Sequence, residues 1–295
     1  MHFVKAKGIL SASNGMNLCR GCTHGCIYCD SRSTCYQIQH DFEDIEVKEN
    51  APELLQEALM RKRRKCIIGT GSMSDPYIPQ EMELGLTRRV LTIIRDMGFG
   101  LAIQTKSDRI LRDMDLLRDI NTRAKCVVQM TLTTWDDDLC AILEPNVCNT
   151  KARLRVLKAM QKEGIPTVVW MCPILPFIND TEDNIRRIVE ACADAGVYGI
   201  IHFGMGMTLR EGDREYYYGK LDEHFPGLKQ KYVRLYGNSY QLSSPRWQQL
   251  ETLFCSLCDK AGIIHDEERL FQWMREMPES GSVPKGDQLS FLDML

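Results

Sequence analysis

Short runs of aliphatic and β-branched residues alternate along this chain with longer stretches whose apolar side chains recur at i, i+3 and i+4. The runs "GMNLC" near 15–19, "KCIIGTG" near 65–71, "FGLAIQT" near 99–105, "CVVQMTLTT" near 126–134, "TVVWMC" at 167–172 and "YGIIHF" at 198–203 read as strands. Between them, "APELLQEALMRKRRK", "EMELGLTRRVLTIIRDMG", "DRILRDMDLLRDI", "TKARLRVLKAMQKEG" and "TEDNIRRIVEACADAG" carry helical spacing. Gly98, Gly164 and Gly196 stand where helix C-caps belong. This βα alternation predicts a parallel sheet with helical crossovers, either doubly wound or curled into a partial barrel. After about residue 240 only helical spacing continues, and "PESGSVPKGD" at 278–287 reads as a linker. The expected organisation is a core over 1–240, a helical extension over 241–277, and a linker with tail over 278–295.

Composition narrows the class. The 295 residues are 44% hydrophobic, enough for the core of one α/β barrel. A net charge of −3 supplies no global field to recruit nucleic acid. The longest apolar run, "VVWMCPILPFI" at 168–178, is interrupted by Pro173 and Pro176 and is too short to span a bilayer. With no apolar leader, the expected location is cytoplasmic, without membrane contact. Thirteen cysteines in such a chain point to metal or redox chemistry where they cluster and to burial where they are single. Cys66, Cys126, Cys172 and Cys192 lie in apolar stretches and are expected in the core.

Sites on βα barrels gather at the C-terminal ends of strands. "CTHGCIYCD" at 22–30 follows the first strand, "GSMSDPY" the second, "TKSD" the third and "TLTTW" the fourth. Thiolates at Cys22, Cys26 and Cys29 can hold three irons of a [4Fe–4S] cluster and leave the fourth open to a substrate or cofactor. The competing reading is a zinc site completed by His24, Cys19 or Cys35.

The C-x3-C-x2-C spacing, with Tyr28 just before the last cysteine, resembles the signature of the radical S-adenosylmethionine (SAM) superfamily. Further segments, "GSMSDPYIPQE", "TKSDRILRDMDLL", "MTLTTWDDDL", "LEPNVCNTKARL" and "GIPTVVWMCPILPFIND", resemble in order its spore photoproduct lyase-like branch, over about residues 16–240. The resemblance implies a partial (β/α)6 TIM-like barrel with a helical C-terminal extension, a [4Fe–4S] cluster on Cys22, Cys26 and Cys29, and SAM. In that superfamily the open iron chelates SAM, and an electron from the cluster cleaves it to methionine and a 5′-deoxyadenosyl radical. It further implies Tyr28 beside the adenine, Ser74 and Asp75 bordering the cofactor, Lys106 on its carboxylate and Thr131 as a nearby hydroxyl. Each has a plainer alternative: "SDPY" as a capped turn, Lys106 as a snorkelling lysine, Thr131 as a β-branched strand residue. Glu144 and Arg153 either pair with each other or contact the ligand. One departure stands out. The DNA lyase of this branch has a hydrogen-donating cysteine after the second strand, where this chain has Ser72. A serine O–H bond is far too strong to replace a thiol, which leaves Cys35, Cys140 and Cys148 as donor candidates.

Downstream, Arg210 and Arg214 with Tyr216, Tyr217 and Tyr218 either contact phosphates and stack a base or form a solvated helix. Cys255 and Cys258 are either a redox pair or core. "QLSFLDML" ends the chain and, through 288–292, is similar to peptides that dock sliding clamps; the alternative is a segment folded back on the barrel. The expectation is a radical SAM lyase-like enzyme that abstracts hydrogen from a substrate, with DNA as a candidate and a flavodoxin- or ferredoxin-type electron donor. The alternatives are a small-molecule or peptide substrate, or a non-catalytic metal-stabilised module at DNA.

Overall fold

Strand β1 (Gly15–Met16) lies parallel to β2 (Ile67–Thr70), and β3 (Gly100–Thr105), β4 (Cys126–Thr131), β5 (Thr167–Trp170) and β6 (Gly199–Ile201) follow in chain order, all parallel. These relations come from a computed structural model, which describes residues 1–278. A doubly wound sheet reverses its strand order at a switch point. Here the order runs one way, and β1 and β6 do not pair, so the sheet is a partial (β/α)6 barrel with an open side.

Helices α1 (Ala51–Met60), α2 (Leu86–Asp96), α3 (Met114–Arg123), α4 (Thr150–Lys162) and α5 (Glu182–Asp194) form the crossovers. The reasons for their limits are local. Asn149 accepts from the Ala152 amide and Thr181 from the Asn184 amide, capping α4 and α5. The stretch expected as one helix over 81–98 breaks at Gly85, whose φ is +59°. The buried Glu81 carboxylate reaches past that break to accept from the amides of Leu86 and Thr87, so it caps α2 from the preceding turn (Glu81–Leu84). Leu55, Val90, Leu117, Val156 and Ile188 are fully buried against the sheet, each worth about 1.5–3 kcal/mol on burial.

Strands four and five end earlier than their apolar runs. The carbonyl of Thr133 accepts from Asn179 (2.7 Å) and Asn184 (3.0 Å), and that of Thr134 from Thr150 (2.5 Å). Side chains remote in sequence thus take the backbone groups that a longer fourth strand would have paired.

The C-terminal part also differs from a purely helical reading. Gln241–Ser243 is a strand, antiparallel to Gly206–Thr208, with Leu242 buried between the layers. Between these strands run α6 (Asp213–His224) and α7 (Leu228–Tyr236); α8 (Trp247–Ala261) then packs along α5, and α9 (Glu267–Arg275) covers β6. Cys258 is fully buried in this packing and Cys255 half-buried beside Glu251, so α8 turns both toward the interior. A small outer sheet joins His2–Val4, Glu46–Lys48 and Cys19–Arg20. Among the described residues no helix is long and apolar enough to cross a membrane. Almost all of the expected linker and the whole 288–292 tail lie outside the described residues.

Candidate active site

The cysteine loop leaves the outer sheet through Gly21, at φ +83°, where a Cβ would sit 2.4 Å from the Phe42 carbonyl oxygen. Only glycine fits there. Four hydrogen bonds then fix the loop: Cys22 amide to Phe42 carbonyl (3.0 Å), Ile27 amide to Leu143 carbonyl (3.0 Å), Asn146 amide to His24 carbonyl (3.1 Å), and Ser74 hydroxyl to Gly21 carbonyl (2.7 Å). Cys22 and Cys26 are buried, Cys29 is half-buried, and all three are free thiols. Burial pushes Cys22 up to about 12, with Asp75 and Cys29 adding to it. Burial likewise raises Cys26, against the pull of Lys106.

Asp75 is the knot between three loops. One of its oxygens accepts from the Tyr77 amide (2.8 Å) and the Thr105 hydroxyl (2.7 Å), the other from the Lys106 amide (2.8 Å), and His24 Nδ1 lies 3.4 Å away. The Lys106 side chain makes no hydrogen bond or ion pair among the described residues. Burial opposes its charge, yet Cys26, Glu144, Asp75 and Cys29 together raise its basicity above the ordinary lysine range.

Below the loop, the Tyr28 hydroxyl donates to Glu144, and Glu144 pairs with Arg153 at 2.5 Å, both fully buried. Arg153 also donates to the carbonyls of Thr131 and Cys148, each at 3.0 Å. Burial works against the Glu144 charge, but Arg153, Lys106 and the Tyr28 hydroxyl hold it below the usual carboxylate range. Glu144 and Arg153 therefore form a buried pair. Cys140 lies against that pair, its thiol 3.6 Å from Glu144 and 3.7 Å from Arg153. The Cys148 thiol donates to the Lys106 carbonyl (3.3 Å).

A cleft of about 580 Å³ opens over this arrangement, walled by Cys26, Tyr28, Cys29, Ser72, Lys106 and Cys172. A larger one, about 710 Å³, lies beside the outer sheet and holds none of the three loop thiols, so chemistry and not size selects the smaller. Neither Cys35, Cys140 nor Cys148 is part of the smaller cleft's wall. Cys172 is, whereas its apolar surroundings in sequence suggested core; Cys126 and Cys192 are fully buried as expected, and Cys66 half-buried. The signal for Cys172 was its place just past β5, at the strand end that points to the mouth. Burial raises its thiol to about 12, so it carries its proton at neutral pH. Phe203 and Tyr240, each 51% exposed, stand at the rim.

The radical SAM family model matches residues 16–188, well over half of the chain. The chain belongs to the radical SAM superfamily. It is 28% identical over 223 residues to an uncharacterized protein of Mycobacterium tuberculosis, covering 74% of this chain and 65% of that one. It thus spans just under two thirds of that relative's length. An uncharacterized protein of Methanocaldococcus jannaschii is 34% identical over 164 residues, 55% of this chain and 60% of that one. Among solved structures, a double mutant of spore photoproduct lyase with bound AdoMet and dinucleoside spore photoproduct superposes with a TM-score of 0.61 at 14% identity, covering 83% of this chain and 72% of the lyase. That likeness is one of fold.

Radical SAM proteins use a [4Fe–4S] cluster and SAM, and the residues fit both. Three free thiols share one loop, an ammonium faces the same cleft, and neither it nor the buried Nε2 of His24 has a partner among the described residues. Of the zinc alternative's completing ligands, Cys35 is exposed and takes a hydrogen bond from Arg210 (3.2 Å), and Cys19 lies in the outer sheet beside the other cleft; His24 stays in the cysteine loop, its Nδ1 3.4 Å from Asp75.

The Arg–Tyr stretch is mostly internal. Arg214 donates to the carbonyls of Leu209 (2.8 Å) and Ser239 (2.7 Å), and the buried Tyr217 hydroxyl donates to Tyr232 (3.0 Å). Arg210 remains near the mouth, holding the Tyr240 hydroxyl at 2.9 Å. Its amide donates to the buried Asp213 (2.6 Å), whose carboxyl is raised to about 6 by burial, with Asp30 adding. A carboxyl raised on folding costs stability once it ionises, so the cost is full above about pH 6 and absent below about pH 4. Asp213→Asn is expected to gain about 1–2 kcal/mol at pH 8 and nothing at pH 4 in urea melts; equal effects at both pH values would refute this origin.

Proposed function

We propose that this protein reductively cleaves SAM and uses the radical to take hydrogen from a nucleic acid base, with DNA as the substrate. The observation that carries the reading is the convergence of Cys26, Cys29, Lys106 and Cys172 on one cleft. Cys22, Cys26 and Cys29 would hold three irons, leaving the fourth to SAM. Lys106 would bind the SAM carboxylate as a charge-assisted pair. Tyr28, anchored on Glu144, lies on the cleft wall and would stand beside the adenine. Ser74 and Asp75 serve by bracing the loop and the Lys106 backbone, and Thr131 through its carbonyl on Arg153. When bound, cluster and SAM supply a 5′-deoxyadenosyl radical. Cys172 takes the hydrogen-donor role: its S–H bond breaks, a C–H bond forms on the substrate radical, and the thiyl is restored by one electron from a flavodoxin- or ferredoxin-type protein and one proton. The exposed rings of Phe203 and Tyr240 support a planar, stacking substrate. Such chemistry suits a reducing cytoplasm.

The test is anaerobic reconstitution with iron and sulfide, dithionite reduction and a SAM-cleavage assay with and without ultraviolet-irradiated duplex DNA. The expected result is 5′-deoxyadenosine, formed faster with DNA. In Cys172→Ala, 5′-deoxyadenosine should persist while most repaired product is lost. A loaded cluster that gives no 5′-deoxyadenosine and no EPR change with SAM would refute the enzyme reading and favour a binding module. Cleavage indifferent to DNA, with the DNA mass unchanged, would refute the substrate and leave the smaller-molecule reading.

A further inference from the structure

We propose that His2, His40 and Glu46 form a site for one zinc-class divalent cation, separate from the cysteine triad. His2 and Glu46 are register partners on adjacent parallel strands, so their side chains leave the outer sheet side by side. His40 arrives from the loop before Glu46–Lys48 and sets its ring edge-on to His2, with centroids 5.0 Å apart. The Nε2 atoms of both histidines lie 4.0 Å from the same Glu46 oxygen. That is too long for a hydrogen bond. It is close to the spacing of two donors around one ion, about 3.3–3.5 Å for bonds of 2.0–2.2 Å in a tetrahedral site. All three donor atoms fall within 4.8 Å of one another, so a small inward rotation closes the cage.

The tautomers are set for binding. His2 Nδ1 lies 3.0 Å from an Asp44 carboxylate oxygen, and His40 Nδ1 lies 2.9 Å from the Asp41 carbonyl. Both partners only accept, so Nδ1 of each ring is the nitrogen that donates to them, and Nε2 is the one that faces Glu46. This is the outer-shell arrangement that orients metal-bound histidines. His40 Nε2 is buried and has no hydrogen-bond partner among the described residues. Two imidazoles and one carboxylate suit Zn²⁺ better than Ca²⁺ or Mg²⁺, which take oxygen donors. The ion would join His2–Val4, the His40 loop and Glu46–Lys48, which in turn pairs with the Cys19–Arg20 strand leading into Cys22. It would brace the approach to the cysteine loop from outside.

The test uses the full-length, tag-free chain with its iron–sulfur cluster reconstituted, freed of adventitious metal by chelator, then given one equivalent of Zn²⁺. Zinc K-edge EXAFS should report one zinc per chain with a nitrogen/oxygen shell at about 2.0–2.1 Å and imidazole scattering. His40→Ala should lose the zinc, and Glu46→Gln, which preserves shape, should weaken binding about tenfold or more. A sulfur shell near about 2.3 Å would assign the metal to cysteine and overturn the proposal. Failure to retain zinc, or an unchanged spectrum and affinity in both variants, would overturn it equally.

Discussion

Cys26→Ala is expected to fold normally and to lose 5′-deoxyadenosine formation completely, with the iron–sulfur absorption. The backbone around position 26 is held by bonds that do not involve its thiol, among them Ile27 amide to Leu143 carbonyl and Asn146 amide to His24 carbonyl. Removing one small buried group there costs roughly 1 kcal/mol, well inside the stability of a domain this size. The cluster has no such reserve: three thiols are the whole protein ligand set the loop offers, and two do not hold it. Lys106→Met separates the neighbouring role. It leaves all three thiols in place, so iron content should stay near wild type while SAM binding weakens. Truncating one partner of a desolvated charge pair costs about 2–5 kcal/mol, or about 30- to 4,000-fold in affinity. The SAM-dependent EPR shift, titrated in both variants, checks the pair of outcomes. A Lys106→Met protein that binds SAM as tightly as wild type would move the carboxylate contact to another residue.

The contrast between those two residues marks what was legible in the sequence. The triad is local: three cysteines within eight residues, placed after a strand, announce themselves by spacing. Strand order was legible for a related reason, since each βα unit is built from its own stretch of sequence and neighbours pair in chain order. What stayed hidden depends on distant partners. Ser74 and Asp75 read as cofactor-bordering polar residues, but their hydrogen bonds run to Gly21, Tyr77, Thr105 and the Lys106 backbone. The early end of strand four is set by Asn179, Asn184 and Thr150, none of them near that strand in sequence. Cys172 looked apolar because the strand before it is; the chain turns at the strand end and puts it on the cleft wall. Gln241–Ser243 is too short for its period to register, and it exists because Gly206–Thr208 presents an edge to it.

Arg153→Met is expected to cost more stability than any surface change, about 3–5 kcal/mol, or a fall of about 6–10 °C in Tm. Methionine roughly fills the volume, so the loss is electrostatic. Glu144 would be left ionised and buried, with the Tyr28 hydroxyl as its remaining close hydrogen-bond donor apart from the Cys140 thiol, and the Thr131 and Cys148 carbonyls would lose their donor. The sign with pH follows from Glu144. Its folded carboxyl lies below the ordinary value, so its contribution is present at neutral pH and is lost as pH falls through the folded value. The Arg153→Met penalty should therefore shrink on acidification. Glu144→Gln in the Arg153→Met background removes the stranded charge and should recover part of the loss, giving a coupling of about 0.5–3 kcal/mol in a double-mutant cycle. The pair also holds Tyr28, and with it the wall of the cleft, so Arg153→Met should disturb SAM binding before it disturbs iron content. Additive effects of the two substitutions, or a penalty unchanged between neutral and acid pH, would mean that Arg153 acts by packing, and the electrostatic account would fall.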